Sequence, residues 1–540
     1  MTFASVILWP QPLDPLHSTA LSALCAAIPL IVVLILMGGL RKSGLLASAC
    51  GLAAAILLAI TVWHMPAPLA GWSVVYGFAY AAWAIMWIVF NALWLYNLAV
   101  ATGSFELLRH WMERHASGDP GIQAILVAFC FGALLEGAAG FGAPVAITAF
   151  LLVGLGLTAH RAVVVSLIAN TAPVAFGAVG VPIVALAAVT GLDISRLSAM
   201  VGRQLPFLSF ILPAYLAWAV AGIRGLRRTW PAALLTGASF ALTQFLVSNL
   251  WGPYATDLMA ALVSILVLAA FLRVWNPGES ATQPQLSAVI DTPGPKPLGS
   301  ASLSAWLPWA LLSAVMAMWS YLKVFQKGQI TIPVPSLHNA VFITLYQKPY
   351  SALYSFQPLT GGTAVLATTV LIALAFRVRP RTFLSSGFKT LRQLQVPGFT
   401  VLLIVGLAYL YNYSGMAYTV GAAVARIGAV FPLVSSYLGW VACFLSGSDA
   451  ASNLLFGNLQ VAAAHQLHLN PILLAATNSS GAVTGKMISP QNIAVGVTTV
   501  GLIGQEGKVL HSTFWHSVLL AGLLGLLAWV QAYIVPGMVP

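Results

Sequence analysis

Three ionisable side chains stand where the neighbouring sequence gives charge no water. Glu136 lies in "FGALLEGAAGFGAPVAI", Asp449 in "SGSDAASNLLFGN" and Lys486 in "SGAVTGKMISP". The chain has eleven acids in 540 residues, and Lys486 is the only Lys or Arg between Arg426 and Lys508. An ionisable group inside an apolar, membrane-like segment is expensive, so its default reading is functional: a proton relay, or a contact to an ion or substrate. The alternative for Glu136 and Asp449 is a structural ion pair or a neutral, hydrogen-bonded acid. For Lys486 the two readings are an anionic substrate or an acid partner such as Asp449.

Neutral polar residues surround these charges in a repeated pattern. "NTAPVAFGAVGVP" runs over residues 170–182 and "NSSGAVTGKMISP" over 478–490. Each begins with Asn and a hydroxyl residue (Asn170–Thr171, Asn478–Ser479), with Gly seven positions after the Asn and Pro twelve after. The pattern predicts two crossing helices, each broken at its Asn. A half-helix N-terminus carries partial positive charge and free N–H groups that hold a carboxylate. The competing reading is a mid-helix Asn bonded to a neighbouring helix. On the first reading the substrate site is built from Asn170, Thr171, Gly140, Gly142, Asn478, Ser479, Lys486 and Gln491, with Glu136 and Asp449 as the proton-coupling acids.

Such chemistry needs elements that hold it at membrane depth, and the composition supplies them. The sequence is 60% hydrophobic and 6% charged, with mean hydropathy +0.92, against roughly 25% charged residues in soluble domains. Apolar stretches near the ~20 residues that cross a bilayer recur along the chain, for example at 21–40, 45–62, 205–223, 258–274 and 401–411. Residues 1–19 carry no Lys or Arg, which argues against a cleaved signal peptide. Cys25, Cys50, Cys130 and Cys443 lie in or beside apolar runs with no disulfide or metal spacing. The net charge of +12 collects at the ends of spans, the pattern of cytoplasmic loops and not of a nucleic-acid surface.

With the basic loops 41–42, 224–228 and 377–392 placed in the cytoplasm, the topology follows by parity. Residues 276–300, rich in Pro, Gly and Ser, fall inside as a linker, and the loop 323–360 falls outside. The Gly-rich stretch around Glu136 breaks a helix and predicts a re-entrant hairpin over 122–157, followed by a crossing over 162–190. A second hairpin is expected over 431–465 and a second crossing over 471–502, antiparallel to the first. The expected fold is all-α and polytopic, about 12 transmembrane helices plus two re-entrant hairpins, in inverted-topology repeats with broken helices and a midplane site. The expected divisions are 1–120 (N-terminal helices), 121–228 (first repeat core), 229–395 (connecting helices) and 396–540 (second repeat core).

"FGALLEGAAGFGAPVAITAFLLVGLG", "IANTAPVAFGAVGVPI", "SGSDAASNLLFGNLQ" and "GAVTGKMISPQNIAVG" resemble the signature stretches of the bacterial lactate permease family, and the likeness extends over nearly the whole chain, including "VTGLD" at 189–193. The resemblance implies import of L-lactate, D-lactate and glycolate with protons across the bacterial inner membrane. It also implies a wider relationship to ion transporters with paired hairpins and an elevator-like movement. One departure is local: Ala450 and Ala451 follow Asp449 where family members often carry hydroxyls.

Rival functions find less support in the residues. No GxSxG or HExxH occurs, and "SGAVTGKM" lacks the first Gly and the closing Ser/Thr of a phosphate loop. The His465/His468 pair has no third ligand nearby. A passive channel would lack saturable, proton-coupled uptake. A sodium-coupled carboxylate carrier of similar architecture stays open, because Asn and Ser at broken helices also coordinate Na⁺; only the resemblance favours H⁺. No cofactor, metal or nucleic acid is expected. The partners are a monocarboxylate anion, a proton and the lipid bilayer, while the preferred 2-hydroxy acid and the oligomeric state are not encoded legibly.

Overall fold

The computed structural model describes residues 8–40, 42–115, 119–140, 143–275 and 301–540. The expected linker 276–300, Arg41 and the proposed substrate contact Gly142 lie outside the described residues. Among the described residues nine helices are long and apolar enough to cross a membrane, ten if one bent pair counts as a span. Most of them are only partly enclosed: 33% of the apolar window of Thr19–Met37 is buried, and 39% of that of Glu506–Tyr533. Their free faces carry Leu, Ile and Phe, as at Leu24, Leu57, Leu242 and Leu519, which is the surface a hydrocarbon solvent asks for.

One helical segment differs in kind. The window of Pro120–Ala138 is 100% buried, so it is enclosed by protein and not by lipid. Asp119 caps its start, accepting from Gly121 N at 2.7 Å, and pairs with Arg228. The helix stops at Ala138, where Gly140 takes φ +60°, a left-handed conformation that suits a residue without Cβ. A second arm, Ala143–Gly154, folds back against it; a Cβ on Gly132 would meet Thr148 Cγ2 at 3.4 Å. The matching pair in the second half is Phe431–Ser446 and Asp449–Gln466, joined by Gly447 at φ +71°.

The two motif helices break in different places. In the first, Ala159–Ala169 and Val174–Thr190 are bent by 64°. Pro173 has no N–H and its ring excludes a continuing helix at this point, so the chain leaves the helix at Asn170. A second irregularity follows at Ala178, Val179 and Gly180, all at positive φ. In the second motif Asn478 and Ser479 lie inside one regular helix, Pro471–Lys486. The expectation of a break at Asn478 is therefore corrected: no proline stands three residues after it, and the helix runs on to the turn Met487–Ser489 before Pro490 opens the next helix, Pro490–Thr499. The feature common to both motifs is the irregular backbone just before Pro182 and Pro490.

Leu205–Leu250 also contains a reversal, at Gly222 with φ 65° and ψ −167°. Its two arms pack on each other, with Ser209 Oγ donating to Gln244 Oε1 at 2.8 Å, and the arginines 224, 227 and 228 follow the turn as the parity argument expects. The all-α expectation needs one correction. Residues 330–356 of the supposed polar loop form short strands: Ile330–Pro333 pairs antiparallel with Leu353–Phe356, and Val341–Ile343 pairs with both Trp9–Pro10 and Lys348–Pro349. Ile330 and Ile332 alternate with polar residues, a β pattern of period two, in a segment too short and too polar to span. Gln11, just past the first strand, donates to the Asn412 and Tyr413 carbonyls at 2.9 and 2.8 Å.

Helices Phe431–Ser446 and Pro471–Lys486 approach with their backbones in contact. A Cβ on Gly439 would overlap the Asn478 carbonyl, and one on Gly481 would overlap that of Ser436. In lipid, where no hydrophobic force draws helices together, such close approach is a main source of packing energy. Gly481→Val should therefore destabilise the fold by at least the 1–3 kcal/mol typical of overpacking, roughly. Thermal unfolding in detergent checks this, against Gly507→Ala as a control at a position with nothing within 4 Å.

Candidate functional site

Glu136 stands in the last turn of the first hairpin arm, and Lys486 ends helix Pro471–Lys486. Although 350 residues separate them in sequence, Lys486 Nζ donates to Glu136 Oε1 at 2.7 Å. The other carboxylate oxygen, Oε2, accepts from Asn170 Nδ2 at 2.9 Å. The two charged side chains are only 4% and 8% exposed. A buried carboxylate persists when it is both paired and hydrogen-bonded, and Glu136 has both. The backbone closes around it: a Cβ on Gly177 would sit 2.8 Å from Oε1, and one on Gly140 3.4 Å from it. Hairpin tip, first break and second motif helix thus meet on one carboxylate.

Asp449 begins the second arm of the other hairpin. Ser448 caps this helix through Ala451 N at 3.3 Å, and the carboxylate lies in the first turn, where the helix end favours negative charge. Its Oδ2 accepts from Ser479 Oγ at 2.8 Å, while Oδ1 is buried without a partner. Lys486 is not its partner; the sequence reading that paired Lys486 with Asp449 is corrected, because the lysine crosses to the other half of the molecule.

Both acids and the lysine line one cavity of about 410 Å³, together with Gly140, Gln491 and an apolar wall that includes Val181, Ile404 and Leu454. This is the size range of small-molecule sites. The cavity extends to Met37, Gly44 and Val396, near Lys42 and Arg392. Among the described residues none forms a hydrogen bond with the exposed Gln491 side chain. A cavity lined by one lysine, two acids and mostly apolar walls has room and a cation for a small monovalent anion.

Of the sequence-predicted contacts, Glu136, Gly140, Asp449, Lys486 and Gln491 line the cavity. Asn170, Thr171, Asn478 and Ser479 do not, which corrects their reading as direct contacts. Asn170 holds Glu136, and Ser479 holds Asp449, so each motif helix anchors the acid of the hairpin beside it. Thr171 Oγ1 is spent on the Ile168 carbonyl at 2.6 Å, and Asn478 Nδ2 bonds Asn453 Oδ1 at 3.0 Å. Thr171 Oγ1 and the Asn478 and Ser479 side chains are thus engaged by protein, while Asn170 Oδ1 is buried without a partner among the described residues.

Two contributors were missed. Asn453 Nδ2 bonds both the Pro182 carbonyl and Ser479 Oγ at 3.1 Å, tying the second hairpin to the first motif helix just after its irregularity at 178–180; it stood about one turn from Asp449, but nothing in sequence gave its partner. Ala178 and Val179 at φ 45° and 59° hold left-handed backbone that costs about 1–3 kcal/mol per residue, flanked only by the weak signal of Gly177 and Gly180.

Residues 22–535 match the family model described as L-lactate permease. The chain is 41% identical to the glycolate permease GlcA of Escherichia coli over 99% of this chain and 100% of that one. It is 39% identical to the L-lactate permease of Escherichia coli, covering 99% and 100% of the two chains, and 39% identical to that of Bacillus subtilis, covering 98% and 100%. With its long apolar helices, the chain is a multi-pass protein of the bacterial inner membrane.

Removing one partner of a buried ion pair strands the other charge, at a cost of about 3–5 kcal/mol. Lys486→Met should accordingly lower the thermal unfolding midpoint in detergent, and the double variant Lys486→Met/Glu136→Gln should recover most of the loss. A loss in the double variant equal to the sum of the losses in Lys486→Met and Glu136→Gln would mean that the pair contributes no coupling energy.

Proposed function

Because the chain belongs to the L-lactate permease family, we propose that it is a secondary active transporter that imports lactate and related 2-hydroxy monocarboxylates such as glycolate by proton symport. The observation that carries this reading is the Lys486–Glu136 pair at 2.7 Å in the cavity wall. An incoming carboxylate competes with Glu136 for the ammonium. Once displaced, Glu136 would be a buried carboxylate without its cation, a state of high energy, and a proton relieves it. Anion and proton therefore favour each other's binding. A monovalent anion with one proton adds no net charge to the cavity.

The substrate carboxylate binds Lys486, next to Gly140 at the hairpin tip, and the Gln491 amide hydrogen-bonds the substrate. Asn170, with Thr171 beside it, and Ser479, with Asn478 beside it, act from behind by fixing the two acids. Asp449, whose Oδ1 is free, is the second proton-carrying candidate. The architecture proposed is about 12 transmembrane helices and two re-entrant hairpins in inverted repeats, with divisions at 1–120, 121–228, 229–395 and 396–540. Basic residues set its orientation: 276–300 and 377–392 cytoplasmic, 323–360 extracytoplasmic. The reach of the cavity toward the basic helix ends supports an inward-facing arrangement.

The test is uptake of labelled lactate and glycolate into proteoliposomes. An inward proton gradient should drive accumulation, and a Na⁺ gradient alone should not. Glu136→Gln mimics the protonated acid, so it should keep exchange of internal for external lactate and lose accumulation by tenfold or more. If Glu136→Gln still accumulates lactate, Asp449 carries the proton, and Asp449→Asn should then show the loss. Orientation is checked separately: a single cysteine at Ser336, with the four native cysteines replaced, should react with an impermeant reagent in intact cells.

A further inference from the structure

Asp257 is a buried acid that the mechanism above leaves unused. It lies in the first turn of helix Thr256–Val274 and is 1% exposed. Its Oδ1 accepts from Gln244 Nε2 at 3.3 Å, and the same amide donates to the Ala172 carbonyl, within the first break, at 3.3 Å. Its Oδ2 is buried with no hydrogen-bond partner among the described residues. A Cβ on Gly137 would lie 3.2 Å from Asp257 Cβ, so the acid packs against the residue that follows Glu136. Glu136 lines the cavity and Asp257 does not, which places Asp257 behind the coupling acid.

The groups around it offer no cation. The hairpin arm presents Glu136 and, further along, Cys130. Helix Leu205–Leu250 presents Gln244; its nearest arginine in sequence, Arg228, stands 16 residues away, about 24 Å along the helix. Helix Gly177–Thr190 carries no titratable side chain, and Ala301–Tyr321 carries only Tyr321, which is exposed. A carboxylate in this setting is costly as a resting charge, so the resting acid carries an O–H on Oδ2.

We propose that Asp257 is a second proton-binding site of the transport cycle, passing its proton to Glu136 when substrate takes Lys486. This rests on the proton-symport reading. Substrate bound at Lys486 lies on the cavity side of Glu136, and Asp257 offers the carboxyl a proton from the other side. In the step the O–H bond at Asp257 breaks and an O–H bond forms at Glu136; the negative charge rests briefly on Asp257, whose Oδ1 keeps the Gln244 hydrogen bond, until a proton from the extracytoplasmic side, where the orientation proposed above puts the start of helix Thr256–Val274, restores the O–H.

Asp257→Asn preserves size and the contact to Gln244 but cannot exchange a proton. In proteoliposomes it should keep lactate exchange within about twofold of the parent and lose proton-gradient-driven accumulation by at least tenfold, a split that a packing role would not produce. Parent-like accumulation by Asp257→Asn overturns the proposal and leaves the symport reading intact. Loss of both activities in a folded variant also overturns it, since Asp257 would then be structural. Failure of the parent itself to accumulate lactate under a proton gradient defeats the symport reading instead. Should Asp257→Asn not fold, Asp257→Ser carries the same comparison.

Discussion

A charge buried away from water must be matched by another charge that the fold brings to it, and in this protein that match is Lys486 to Glu136. The pair joins residues 350 positions apart, so it cannot form until both halves have folded and docked. Much of the nearby backbone is shaped by it. Gly177 and Gly140 leave room for the carboxylate, Asn170 completes its hydrogen bonding, and the end of helix Pro471–Lys486 delivers the ammonium. A structure that rests on a charge pair is also one whose state a competing anion can change.

Irregular backbone at depth is tolerated only where protein or a cavity supplies partners, and the breaks here obey that constraint. The Pro182 carbonyl is taken by Asn453, the Gly447 carbonyl by Asn492 Nδ2 at 3.1 Å, and the Ala172 carbonyl by Gln244. The positive-φ residues Ala178 and Val179 lie between Gly177, which touches Glu136, and Pro182, which touches the second hairpin. Strain is thus stored where the two halves meet and where the cavity wall is formed, in reach of any ligand that displaces Glu136.

Rigid packing surrounds this adaptable centre. Gly439, Gly481 and Gly485 let helices Phe431–Ser446 and Pro471–Lys486 touch along their length, and the motif residues Asn478 and Ser479 are locked by Asn453 and Asp449. The short strands tie residues 9–10 to the segment 341–349, and Gln11 fastens them to the Asn412 and Tyr413 carbonyls. Each copy of the repeated motif thus anchors one of the two acids.

The sequence by itself determined the membrane character, the turn in the Gly-rich stretch after Glu136, the folded-back pair at the basic residues 224–228, and the small set of acids and cations able to do chemistry. These follow from local composition: hydrocarbon solvent fixes the apolar runs, and Gly and Pro fix where a helix stops. Tertiary structure alone decided that Lys486 belongs to Glu136 and not to Asp449, because pair choice depends on which helix ends meet. It also decided that Asn478 sits within a helix. The proline that breaks the first copy was legible, but its absence from the second was hidden by the shared Asn and hydroxyl. Asp257 was invisible as a buried acid for the same reason: in sequence it opens an apolar helix like any first-turn aspartate, and only the docking of the first hairpin beside it takes it out of water.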